Sequence, residues 1–128
     1  MRDDQARIEV GRVYDPLDHS GALRLLVDRL WPRGVSRQEL QLEAWIPQVA
    51  PSTELRKWFA HDVRKWPELQ QRYRAELAAN PDAVEHCLAW CRKGQVRLLY
   101  AARDRTQNHA VVLRQYLEEQ ITRKDRPK

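Results

Sequence analysis

The 128-residue chain contains no apolar run approaching the roughly 18 residues that a bilayer-spanning helix needs, so no membrane partner is implied. Residues Met1 to Arg7 lack the apolar core of a signal peptide, and the expected location is the cytoplasm. Cysteine is scarce: Cys87 and Cys91 sit four apart in a predicted helix, where a disulfide fits poorly, so both are expected as reduced thiols. His86, Cys87 and Cys91 match neither finger nor ribbon spacing, and no metal site is expected. With four glycines and no glycine-rich phosphate loop of either standard type, the familiar nucleotide-binding motifs are missing, and no cofactor is implied. Repeats, low-complexity tracts and linkers are also absent.

What remains is the composition of a soluble globular domain: 42% apolar and 32% charged residues in 15.2 kDa. That length fits one domain over residues 1–128, with a core over about 8–120 and ends at 1–6 and 123–128 expected to fray. Lys and Arg number 23 against 18 Asp and Glu, a net charge of +5 and a pI near 9.6. Such a basic protein favours anionic partners, whether nucleic acid or a phosphorylated small molecule. Five tryptophans are a large apolar commitment for so short a chain.

Apolar alternation at Ile8, Val10, Val13 and Tyr14 predicts a strand over residues 8–14. Leu25-Leu26-Val27 predicts a strand over 23–30, buried on both faces and stopped by Pro32. Val96 to Ala101 predicts another. Between them, Leu55, Trp58 and Phe59 recur at helical spacing after a Ser52 cap, and Trp66, Leu69, Tyr73 and Leu77 mark a second helix with Pro67 in its first turn. A third helix is predicted from an Asn80 cap and Pro81, through Val84, Cys87, Leu88 and Cys91, to a stop at Lys93-Gly94. Ala110, Leu113, Leu117 and Ile121 mark the last helix. Helices between short apolar strands predict an α/β class: a single three-layer domain with a small, at least partly parallel sheet flanked by helices.

In open α/β sheets, ligands collect where the chain leaves the carboxyl ends of strands. Two such exits are polar here, Asp28 to Gly34 and Tyr100 to His109. If their strands are parallel neighbours, Arg29, Arg33, Arg103, Asn108 and His109 converge on one rim near a helix N-terminus, a setting suited to a phosphate or carboxylate. Asp28 and His109 are the candidate acid/base pair. Each has a structural alternative: Asp28 with Arg29, or Arg103 with Asp104, can simply pair, Trp31 can cover the core, and His109 can cap or pack. The basic residues Arg56, Lys57, Arg64, Lys65, Arg72 and Arg74 alternate with Glu54, Asp62, Glu68 and Glu76, the pattern of a solvated helix surface rather than of a nucleic-acid stripe.

Four strings in order resemble the YeaO-like proteins of a bacterial and archaeal domain-of-unknown-function family (number four-eight-eight). They are Arg12-Val13-Tyr14-Asp15-Pro16, Leu26 to Gly34, Ala50 to Phe59, and Leu98 to Asp104 with Asn108 to Leu113. The resemblance runs from about Ile8 to Glu118 and implies a small cytosolic α/β protein. It adds Ser52, Arg56, Trp58, His61 and Asp62 to the polar positions, and with them Tyr100, Asp104 and Trp31 complete the candidate ligand-binding set. Longer relatives carry a cysteine at a strand end and a Cys-His-Arg turn. This chain has Tyr100 at the first place and Asn108-His109-Ala110 at the second, so thiol chemistry is not expected of it. The leading expectation is a binding protein or enzyme for a small anionic ligand, phosphate-containing ones included, that uses an Arg-rich cleft at the strand carboxyl ends, with a nucleic-acid-binding or regulatory module as the alternative. The oligomeric state stays open.

Overall fold

The computed structural model describes residues 8–17 and 19–125; most of the two ends expected to fray lie outside this range. Four strands form one all-parallel sheet: β1 (Ile8–Arg12), β2 (Leu23–Leu26), β3 (Ala44–Trp45) and β4 (Val96–Tyr100), in the order β1-β4-β2-β3. β4 is central. It pairs with β1 from Ile8↔Val96 to Arg12↔Tyr100 and with β2 from Leu23↔Val96 to Leu26↔Leu99. The expected partly parallel α/β sheet is therefore fully parallel.

The sheet is buried on both sides, as its contiguous apolar runs require. Period two sends Ile8, Leu25, Val27, Val96, Leu98 and Tyr100 into the larger core. That core is closed by α2 (Thr53–Phe59), α3 (Trp66–Ala78), α4 (Pro81–Cys91) and α5 (His109–Asp125). Leu26 and Leu99 face the other way, joining Val13 and Leu40 in a smaller core beneath α1 (Arg37–Leu40). Trp31 and Trp45 complete that layer edge to face, with centroids 5.4 Å apart and rings at 76°.

The helices follow their apolar spacing. Leu69, Tyr73 and Leu77 line the buried face of α3, and Ala83, Val84, Cys87 and Leu88 that of α4. Ser52 caps α2 by accepting from the Leu55 N–H, and its hydroxyl and N–H both donate to Glu76, which locks α2 onto α3.

Several expectations are corrected. Regular pairing in β2 ends at Leu26 rather than at residue 30, with one further ladder bond from the Val27 N–H to the Leu99 carbonyl. The Asp28 carboxylate instead leaves the ladder to accept from the Ala101 N–H. β1 ends at Arg12, again with one trailing bond, from the Val13 N–H to the Tyr100 carbonyl. Asn80 does not cap α4 with its side chain; its amide donates to the Gln48 carbonyl. α4 ends at Cys91, and Gly94 has no left-handed backbone, so the stop is made by ordinary turn bonds such as Lys93 N–H to Trp90 carbonyl. β3 and α1 were not expected at all.

Candidate functional site

All four strands run the same way, so their carboxyl ends share one edge of the sheet. Over that edge opens a cleft of about 660 Å³, a volume suited to a small-molecule site. Its walls come from the β1 exit (Tyr14), the β2 exit (Asp28 to Arg33), the segment before α2 (Ala50, Pro51), α2 and its exit (Arg56, Lys57, Phe59, His61), and the β4–α5 turn (Ala101, Ala102, Gln107 to His109).

Of the residues expected in a site, Asp28, Arg29, Trp31, Arg33, Arg56, His61, Asn108 and His109 line this cleft. Ser52, Tyr100, Arg103 and Asp104 do not. Ser52 is occupied with Glu76 and the α2 cap. Tyr100 falls in the same alternation as Leu98 and is 1% exposed in the larger core, where burial raises its phenol above the ordinary range. Asp104 binds the Thr106 and Gln107 N–H groups, which hold its carboxyl below the usual value. Arg103 is exposed beside the cleft rather than on its wall, so four of the five residues expected on one rim meet there. Trp58 packs against the core, with Lys65 and Arg72 over its ring, and Asp62 pairs with Arg64.

Among the described residues, the cleft's cations lack the carboxylate partners that several arginines elsewhere have. On the helices and sheet margins arginines meet carboxylates: Arg72 with Glu68, Arg74 with Glu119, Arg92 with Glu85, Arg97 with Glu9 and Arg105 with Asp15. In the cleft, Arg29 donates from Nε to the Pro51 carbonyl at 3.1 Å and from Nη2 to the Ala50 carbonyl at 2.9 Å. These neutral partners fix the guanidinium without cancelling its charge. Arg33, Arg56 and Lys57 are exposed on the same walls, and among the described residues none of these four cations is paired with a carboxylate.

Among the described residues one acid, Asp28, lines the walls, and its Oδ1 is buried without a hydrogen-bond partner. Its Oδ2 accepts from the Ala101 N–H at 2.9 Å, and its carbonyl accepts from the Trp45 indole at 2.8 Å. Oδ1 lies 3.2 Å from His109 Nε2, yet that nitrogen has hydrogen-bonding geometry only toward the Val27 carbonyl, at 3.0 Å. A carbonyl can only accept, so Nε2 carries a proton and donates. The expected acid/base pair is thus brought together, in a mesh that ties the ends of β2, β3 and β4 to the start of α5. Asn108 caps α5 by accepting from the Val111 N–H.

No cysteine lines the cleft. Burial pushes the Cys87 thiol up to about 12 and the Cys91 thiol up to about 11, so neither is a nucleophile near neutral pH. No group of three or more His, Cys, Asp or Glu among the described residues is placed to hold a metal ion, and no described helix is long and apolar enough to cross a membrane.

Sequence reasoning missed Tyr14, Leu30, Lys57, Phe59 and Gln107 as wall residues. The Ala60-His61 step was also not anticipated: both residues have left-handed backbones, with φ of 47° and 57°, and of the two only histidine is a type enriched there. That bend carries the chain out of α2 and places His61 on the cleft wall.

A parallel α/β sheet with a cation-lined cleft over its carboxyl edge defines the class. The chain belongs to the DUF488-N3i family, described as the inactive DUF488-N3 subclade, which matches residues 7–128. It is 43% identical over 110 residues to the uncharacterized protein YeaO of Escherichia coli, spanning 86% of this chain and 96% of that protein. It is 34% identical over 113 residues to the uncharacterized proteins Rv3073c of Mycobacterium tuberculosis and Mb3100c of Mycobacterium bovis, spanning 88% of this chain and 95% of each of those. No solved structure matches.

Proposed function

We propose that this protein binds a small anionic, phosphate-containing ligand in the cleft over the carboxyl edge of its sheet, and that it holds the ligand without transforming it. The observation that carries this reading is the charge of the walls. Among the described residues, Arg29, Arg33, Arg56 and Lys57 have no carboxylate partner, and these four cations outnumber the one acid on the walls, Asp28. Unneutralised guanidinium groups offer planar forks that fit phosphate and carboxylate oxygens. Two facts favour binding over turnover. The cleft has no nucleophilic thiol, and the subclade is described as inactive.

The test is a thermal-shift screen of phosphorylated metabolites and inorganic phosphate against the wild type and Lys57→Ala. Lys57 is exposed, so its loss leaves the fold intact. A ligand present at a hundred times its Kd raises stability by about 2.7 kcal/mol. That rise is expected in the wild type and reduced in the variant. If no phosphorylated compound stabilises the wild type, the proposal is wrong.

A further inference from the structure

The cleft has a second wall with a different character. Tyr14, Leu30, Trp31 and Pro32, from the β1 and β2 exits, face the same opening as the cations. Two of these apolar side chains lie strongly in water: Tyr14 is 47% exposed and Leu30 is 65% exposed. Most large apolar residues of the chain are buried, so exposed ones gathered at one opening mark a surface for contact.

Tyr14 is held in place. Its hydroxyl donates to the Arg33 carbonyl at 2.9 Å, which ties the β1 exit to the β2 exit. The Arg12 guanidinium lies over its ring, 5.0 Å from the centroid, and is itself fixed by bonds to the Ala101 and Ala102 carbonyls. The ring is therefore anchored at its tip and backed by a cation, with nearly half of the residue open at the cleft. An immobilised aromatic ring of this kind loses little freedom when a planar group stacks on it, and stacking on an aromatic side chain is tolerant of which ring arrives.

Building on the anion reading, we infer that the ligand carries a planar ring as well as its phosphate, as a nucleoside monophosphate does. The phosphate lies toward Arg56, Lys57 and Arg29, and the ring lies against Tyr14 and Leu30.

The experiment is calorimetric titration with adenosine 5′-monophosphate, uridine 5′-monophosphate, ribose 5-phosphate and a 5′-phosphorylated single-stranded oligonucleotide. The proteins are the wild type, Tyr14→Leu and Tyr14→Phe, each checked for folding by circular dichroism. The wild type is expected to bind one or both monophosphates about tenfold more tightly than ribose 5-phosphate, the scale of a single stacking contact. Tyr14→Leu should erase that preference, bringing the monophosphates to the affinity of ribose 5-phosphate. Tyr14→Phe should keep it, because the ring is retained. Equal affinities for ribose 5-phosphate and the monophosphates in the wild type would overturn the ring assignment and leave the anion reading standing. Tighter, salt-sensitive binding of the oligonucleotide would overturn it in favour of a polymer. Failure of every phosphate to bind would overturn the anion reading and this inference together.

Discussion

Replacing Arg29 with alanine should separate the structural work of this side chain from that of its neighbours on the same wall. Its guanidinium donates to two successive carbonyls, those of Ala50 and Pro51, just before α2. Hydrogen bonds from a charged donor contribute about 1.5–3 kcal/mol each, and the half-buried setting favours the lower half of that range. The two together give about 3–4 kcal/mol, a large share of the 5–15 kcal/mol that is typical of a whole domain. At roughly 3–5 °C per kcal/mol for a chain of this size, the melting temperature should fall by on the order of 10 °C. Arg33→Ala is the matched control, since Arg33 is exposed and its side chain makes no comparable bonds among the described residues; it should cost less than about 0.5 kcal/mol. Urea unfolding followed by tryptophan fluorescence and by far-ultraviolet circular dichroism measures both. If Arg29→Ala unfolds within about 0.5 kcal/mol of the wild type, or no lower than Arg33→Ala, the two carbonyl bonds do not carry the energy assigned to them. The result also bears on binding assays, because Arg29→Ala would weaken ligand response through stability alone.

Three further outcomes are expected. His61→Gly relieves a left-handed backbone costing about 1–2 kcal/mol, less about 0.5–1 kcal/mol of glycine entropy, so it should be as stable as the wild type or slightly more so. The same variant should bind phosphate ligands about fivefold more weakly by calorimetry, the equivalent of one lost polar contact; unchanged binding would remove His61 from the site. The Asp15 carboxyl is held below its ordinary value, chiefly by its bond to Arg105, so its stabilisation is full above the usual carboxylate range near 3.8 and fades as the pH falls through and below it. Asp15→Asn should flatten acid unfolding there by less than about 1 kcal/mol, because the pair is largely exposed. Finally, Cys87 and Cys91 should resist alkylation at pH 7.5 in the folded protein and react once it is unfolded in urea, as mass spectrometry would report; rapid modification of the folded chain would contradict their raised thiols.

The elements legible in the sequence are those whose apolar pattern is long. Leu69-Tyr73-Leu77 and Ala110-Leu113-Leu117 could belong to nothing but helices packed on one face, and Leu25-Leu26-Val27 needed cover on both sides. β3 was invisible because it is two residues making pairs with Leu25 and Leu26 alone, too short to show a period. α1 had a signal that went unused: Ser36 and Glu39 form a reciprocal capping box, and both residues are plain in the sequence. The strand exits pointed to the edge over which the cleft opens, since a parallel sheet gathers its carboxyl ends by construction. Which side chains turn inward was only partly legible. Alternation from Leu98 already assigned Tyr100 to the core. The direction of Arg103 and the turn at Ala60-His61 depend on loop backbone that no propensity encodes.

The central place of β4 has a consequence for synthesis. β1 and β2 are joined by a short connection but do not pair with each other; β4, which begins at Val96, lies between them, and β2 has only the two-residue β3 as an earlier partner. A chain growing from the ribosome therefore makes its first two strands early, and among the described strands β1 has no pairing partner until the segment from Val96 has been made. During that interval α3 and α4 can pack locally, while β1 still lacks its strand partner. The sheet closes from its middle in one late, long-range step, and that step, rather than any helix, should set the pace at which the protein becomes resistant to aggregation and proteolysis.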